Sequence, residues 1–478
     1  MKKLFTVSAL ILCIFLTACG EPLTLMPFIG ELSSGENDFD FEGYKFYFYH
    51  ENNPAADPDL LIFTYDKQTP QGEALLNRVN KIKTEYNAEV IFNQDLDDSQ
   101  FQMQSMSGVI HADVCNFTYL NAMQLFAKNG LIYPITDFPD QIDLSQTDKY
   151  GAANMLEPGM YNGVPYVVCP LYWPGFQALD SFALVYNTEL LEPAGITNFH
   201  EFYENKTWTW DTFEDEYLKK FRMPTIDGYV DLFAAGNMQY FDMLMYSNGT
   251  QFITRGANGN NVVNTFPLAF QHAYEKGSEW FAEYGELFDL KDAAFYFGDF
   301  LQGDVGVTVS TAEHLTVGTI AYAANFKYNI MPFPCGPDAT YGEWAQFIQR
   351  AQGFGIAKSS KDPQIAAQIL SLLLDPFEEL GGDAGLYEYY ADMTFTEELD
   401  AQIFFDLMNY TRYDYTFWDM SDVGRKVASN FGVAIEQGKS AIEAYDMFKN
   451  YLDYMVVECM LPNFDYMYDN YYSLKEND

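Results

Sequence analysis

Positive charge is scarce in this chain: 26 lysines and arginines stand against 68 aspartates and glutamates, a formal charge of −42. A surface of that sign repels phosphate backbones and anionic lipid headgroups, so nucleic acid and membrane-surface binding by charge are excluded as functions. Cysteine is sparse too. The six residues, Cys13, Cys19, Cys115, Cys169, Cys335 and Cys459, are too scattered for a zinc or thioredoxin-like motif and too few for a disulfide framework. Cys115, Cys169, Cys335 and Cys459 read as buried thiols, with a Cys115–Cys169 bridge left open by spacing alone. The five histidines, His50, His111, His200, His272 and His314, are widely separated. There is no H-E-x-x-H, no G-x-S-x-G and no P-loop, so no metal, cofactor or nucleophile site is expected. "DLDDSQ", from Asp95, starts like a calcium loop but has Gln100 where glycine is required, and reads as a solvated loop.

Long apolar runs are absent except at the beginning. There Lys2 and Lys3 precede an uncharged stretch, Leu4 to Thr17, too short to cross a bilayer core. It reads as a secretory signal over residues 1–18. Leu16, Thr17 and Ala18 before Cys19 resemble a bacterial lipobox, so Cys19 is the expected lipidation site. More than one acyl chain gives durable anchoring, which places the mature chain outside the cell and attached to its membrane. Residues 19–43 carry six acids and no basic residue. They read as an acidic tether, about 25 Å long as a flexible coil.

What is abundant is apolar and aromatic: 48% hydrophobic residues, with 36 Tyr, 41 Phe and 6 Trp. After the signal 460 of the 478 residues remain, more than one core comfortably holds, so two lobes are expected. "YKFYFY", Tyr44 to Tyr49, suits a strand covered on both faces. Thr69 and Pro70 then open a helix whose Leu75, Leu76, Val79, Ile82 and Tyr86 share a face. "AEVIF" follows as a strand. Strand, helix, strand predicts a βαβ unit and a parallel sheet. The alternation continues: strands at "ADVCNF", "YVVCP", "DVGVTVST" and "YNIMPFP", and helices at Leu120–Asn129, stopped by Gly130, at Pro267–Tyr284 and at Asp362–Asp375. "GFG", at Gly353–Gly355, reads as a strand entry, and from Glu397 onward the pattern is helical without a strand.

"SFALVYNTELLEPAGI" and the following "TWTWDTF" resemble the extracellular solute-binding proteins of family 1, the lipoprotein receptors of ABC importers that include the maltose-binding type. The shared pattern is an apolar strand, Tyr186-Asn187, a short helix closed by Ala194-Gly195-Ile196, then Thr209-Trp210-Asp211 and Phe213. Thr212 departs from it, standing where a glutamate would complete a capping box. The segments "ADVCNFTYLNAMQLFAKNGLIYPITDF", "YNGVPYVVCP", "QGDVGVTVST", "PFPCGP" and "GFGIAKSSKDPQIAAQIL" extend the likeness, in order, over roughly Tyr44 to Asp375. The resemblance implies an α/β, two-lobed periplasmic-binding-protein-like (type II) fold with a hinge and an interlobe cleft. The expected lobes are 44–178 with 348–392, and 179–347 with 393–470. It further implies a monomeric receptor that closes on a solute and presents it to permease subunits, without catalysis.

A sugar offers a flat C–H face and a rim of hydroxyls, which aromatic plates and polar side chains suit. Ligand contacts are expected on loops after strands: Asn116, Phe117 and Tyr119; Tyr172 and Trp173; Thr311, Glu313 and His314; then His50 and Glu51, and Trp344 and Gln352 near the later crossing. Trp173 leads because Pro174 and Gly175 place it in a loop at the expected crossing between lobes. Carboxylates and aromatics equally suit a polyamine or basic peptide. A surface glycosidase, which needs only a carboxylate pair, and a passive adhesin are the rivals from other classes.

Overall fold

The computed structural model describes residues 40–456 except 51–60, 118–125, 152–155, 171–181, 225–228, 257–260, 292–297, 312–323, 344–346, 349–352, 378–394, 414–430 and a few isolated positions. Two open sheets organise it. The first contains β1 (Tyr44–His50), β2 (Ala88–Asn93), β3 (Val114–Phe117) and β9 (Gly353–Ile356), in the order β9-β3-β1-β2. β1 runs parallel to β2 and β3, while β9 returns antiparallel with Gly355 opposite Cys115. The second contains β4 (Phe182–Asn187), β5 (Asp231–Gly236), β6 (Phe288–Lys291), β7 (Val305–Thr311) and β8 (Tyr328–Met331), ordered β6-β5-β7-β4-β8. β5, β6 and β7 are parallel there, and β4 runs against both of its neighbours.

β1 shows why alternation matters. Phe46, Phe48 and His50 point into a fully buried layer, while Tyr47 and Tyr49 on the opposite face are half-buried. The buried layer is closed by helices α1 (Pro70–Glu85) and α5 (Pro363–Leu373), whose Leu75, Ile82, Ile369 and Leu370 meet Phe48 and Phe354 in one cluster. Both helices start as their sequences demand: Thr69 accepts from the Gly72 N–H, and Asp362 from those of Gln364 and Ile365. The buried Arg78 of α1 donates to the carbonyls of Leu373 and Pro376 and stacks over Phe377, which satisfies the orphan acceptors at the end of α5.

The second sheet lies in the larger cluster, between α3 (Asn237–Ser247) and α4 (Leu268–Tyr284) and the Trp208–Trp210 region. Trp210 is buried and donates to Ser247 Oγ at 3.0 Å, Gly195 ends its helix at φ +75°, and Thr209 caps the next one. α6 (Glu398–Met408) and α7 (Ala441–Tyr454) complete the chain's described part.

Several expectations change. "YVVCP" contributes only a bridge, Val168 to Phe354, because the flanking N–H groups of Tyr166 and Cys169 donate instead to the carbonyls of Gly159 and Tyr150. "DLDDSQ" is a helix start: Asp97 accepts from Gln100 N at 2.7 Å and the Gln100 side chain returns to Asp97 N, a capping box opening α2 (Asp98–Met106). A short strand, Arg412–Tyr413, lies in the supposedly all-helical C-terminal part and pairs with Phe347–Ile348. Cys115, Cys169 and Cys335 are buried and in no disulfide, so the Cys115–Cys169 bridge is not made. The first part of Leu120–Asn129 lies outside the described residues, as do Cys19 and Cys459. No helix among the described residues is long and apolar enough to cross a membrane.

Candidate functional site

In open α/β sheets, ligands bind beyond the carboxyl ends of the parallel strands, where loops and helix starts leave polar groups uncommitted. In the first sheet those ends are His50, Asn93 and Phe117; in the second they are Gly236, Lys291 and Thr311. The chain leaves the first sheet after Val168, enters the second at Phe182, and returns between Met331 and Gly353.

At the first edge the side chains are engaged in packing. His50 is 3% exposed and lies 4.7 Å from the Phe63 ring, with Phe48 and Phe92 around it. Asn116 donates from Nδ2 to the Gly353 carbonyl at 3.0 Å and so ties the returning strand β9 to β3. Phe117 sits edge-on to Phe126 and 5.2 Å from Phe101.

The second edge is different in kind. Gln239, in the first turn of α3 just beyond β5, is 1% exposed, yet neither its Nε2 nor its Oε1 has a hydrogen-bond partner. Ser310 Oγ, at the end of the neighbouring β7, is also buried without one. Buried polar atoms are normally paired, because leaving one unmade costs about 1–3 kcal/mol. Two such residues at adjacent strand ends are therefore a functional signal. Buried Asp242 follows one turn after Gln239, and buried Thr311 follows Ser310. At this end of the sheet Gln239 offers an amide and Ser310 a hydroxyl, donor and acceptor types that solute hydroxyls require, while Thr311, the next residue of β7, faces the other side of the sheet.

Of the residues expected from sequence to touch ligand, His50, Asn116, Phe117 and Thr311 stand at strand ends and are buried. Glu51, Tyr119, Tyr172, Trp173, Glu313, His314, Trp344 and Gln352 lie outside the described residues. Gln239 was missed because β5, "DLFAAG", carries two alanines and a glycine and lacks the β-branched pattern of a strand. Ser310 was visible in "VTVST" beside Thr311.

Two other features stand apart from the strand ends. A cavity of about 460 Å³ lies between the helix start at Trp210, the Cys335–Pro337 turn and one face of α4 bearing His272, Lys276 and Glu279. The carboxylates of Asp231, Asp289 and Asp299 approach within 4.8 Å of one another, with Lys291 ion-paired to Asp289 as their cationic partner.

The sequence profile of the bacterial extracellular solute-binding proteins matches residues 77–379. No curated protein matches the sequence. Among solved structures, a cyclo/maltodextrin-binding protein complexed with maltotetraose is similar at a TM-score of 0.58 and 14% identity, over 86% of this chain and 96% of that one. The sugar-binding protein MalE of Xanthomonas citri gives 0.60 at 13% identity, over 87% and 97%. A sugar transporter protein of Rhizobium etli, in an open conformation, gives 0.62 at 11% identity, over 86% and 99%. The α/β architecture, two sheets each with one reversed strand, is the two-lobed fold of these maltose-binding-type proteins. Profile and fold agree with what the strand ends present: the chain belongs to the bacterial extracellular solute-binding proteins.

Proposed function

We propose that this protein is the substrate-binding lipoprotein of an ABC importer, taking a sugar or oligosaccharide in a cleft between its lobes and delivering it unaltered to permease subunits. The observation that carries the reading is the pair of buried, unpartnered polar side chains, Gln239 and Ser310, at neighbouring ends of the second sheet. Solute hydroxyls would supply the hydrogen bonds they lack. The solved relatives include proteins complexed with maltotetraose and with mannotriose, which supports a carbohydrate as the solute class.

In this reading one lobe comprises 44–178 with 348–392 and the other 179–347 with 393–470. Aromatic residues of the crossing loops, Trp173 first among them, give the sugar's C–H faces a plate to stack on. Cys19 carries the acyl chains and the acidic segment to residue 43 sets the body off the membrane. Closure is a hinge motion, and the solute drives it only by binding the closed form more tightly.

The experiment is a ligand-dependent melting screen of the mature chain across oligosaccharides, followed by calorimetry, since selective binding raises apparent stability. A sugar that binds with affinity nearly independent of salt supports the reading. Binding only of polyamines or basic peptides, weakening as salt rises, or release of hydrolysis products, replaces it.

A further inference from the structure

Strand β8 is an edge strand, and what covers it is a cluster of ionisable groups. The Ile330 N–H donates to Asp400 Oδ1 at 2.9 Å, and His200 Nε2 lies 2.9 Å from the same oxygen and 3.3 Å from the Ile330 carbonyl. Asp400 belongs to α6, and His200 opens the short helix His200–Glu204. Both residues are 1% exposed. The other ring nitrogen, Nδ1, is 3.5 Å from the carboxylate of Glu397, just ahead of α6 and half-exposed. A second hook, Tyr203 Oη to Asp406 Oδ2 at 2.9 Å, joins the same two helices.

A neutral imidazole has one N–H, so at one nitrogen its lone pair would face a carboxylate. With Asp400 at one nitrogen and Glu397 at the other, the ring fits this site as imidazolium. We propose that His200 is a protonation-dependent clasp that holds helix α6 on the open edge of the second sheet. The clasp reaches further than its own helix. Thr411 follows α6, and Arg412–Tyr413 then pair in parallel with Phe347–Ile348, within the segment that carries the chain back to the first sheet at Gly353. Releasing α6 loosens a strand laid against that return crossing.

Burial lowers the ring's proton affinity, but the bond and charge of Asp400, the Ile330 carbonyl and the charge of Glu397 together raise it by more, so His200 titrates above the ordinary histidine value. Burial raises Asp400 against the opposing pull of His200, and raises Asp406 against Tyr203. From the sheet, the phenols of Tyr186 and Tyr328 face the cluster, both raised first by burial and then by Asp400, so they remain neutral. For a raised histidine, the stabilisation is complete below its unfolded value near 6.5 and is lost as pH rises through the folded value. The clasp therefore opens on the alkaline side.

Hydrogen exchange on the full mature chain tests this, comparing about pH 6 with about pH 9 after correction for intrinsic rates. In α6 (398–408) and in the paired strands 412–413 and 347–348, protection should fall by about tenfold or more at the higher pH, while α1, residues 70–85, stays unchanged. His200→Gln should exchange quickly in α6 at both values. Glu397→Gln, at a half-exposed position where folding is not at stake, should move the transition to lower pH. Protection of α6 that is independent of pH, an equal loss in α1, or a Glu397→Gln transition at the wild-type pH each overturns the clasp. None of these readouts uses a solute, so the outcome is separate from that of the sugar-binding proposal.

Discussion

Gln239→Met separates a residue kept for binding from one kept for packing. Methionine matches glutamine in length and flexibility but carries no amide, so volume is conserved while the unmade hydrogen bonds vanish. The wild-type side chain is 1% exposed with neither amide atom partnered. Removing that burden should stabilise the unliganded protein by about 1–3 kcal/mol. Unfolding entropy of roughly 2.1 cal/mol/K per residue, over a folded body of about 400 residues, gives about 0.8 kcal/mol/K, so Tm should rise by about 1–4 °C. The bound state loses what the amide contributed to the solute, again about 1–3 kcal/mol, which weakens affinity by about 5- to 150-fold. The assay is paired: melting of free protein, and calorimetric titration with the oligosaccharide found by screening. A variant less stable than wild type with unchanged affinity would refute the reasoning and return Gln239 to the core.

Gly336→Ala should destabilise by about 1–3 kcal/mol in a denaturant melt, because a Cβ there would stand 2.3 Å from Asn248 Oδ1 and 2.8 Å from Trp210 Cζ2. Asn248 cannot simply turn away: its Oδ1 accepts from Asp338 N and its Nδ2 donates to Asp338 and to Ala269. Asp362→Ala should cost about 1 kcal/mol by uncapping α5, and Asp362→Asn much less, both read from urea midpoints. Burial pushes the Cys335 thiol up to about 11, so iodoacetamide at neutral pH should leave it unlabelled in the native protein. After denaturation without reductant, Cys115, Cys169 and Cys335 should all label; a Cys115–Cys169 linked peptide would contradict the absence of that disulfide.

The first sheet is legible in sequence because local rules there agree with tertiary ones. Thr69-Pro70 and Asp362-Pro363 announce helices that pack on "YKFYFY", and the packing confirms both starts. Reading fails where a tertiary partner decides. β5 is a strand because β6 and β7 flank it, not because alanine and glycine favour extension. "YVVCP" has the right composition and is still not a strand, since its Tyr166 and Cys169 donors go to Gly159 and Tyr150 and leave only one bridge to Phe354. Arg412–Tyr413 is a strand solely through Phe347–Ile348, more than sixty residues earlier. The site shows the same division. Position after a strand marks Asn116 and Phe117 as candidates, but only the packed structure tells that their side chains tie β3 to β9 and to Phe101 and Phe126. An unsatisfied buried amide such as that of Gln239 has no sequence signature at all.

Small-angle scattering of the mature protein, with and without a saturating oligosaccharide whose binding calorimetry has established, tests the receptor account most directly. Two lobes that close on a solute predict a smaller radius of gyration in the bound form. An unchanged radius with the sugar demonstrably bound would contradict closure, and with it the delivery role.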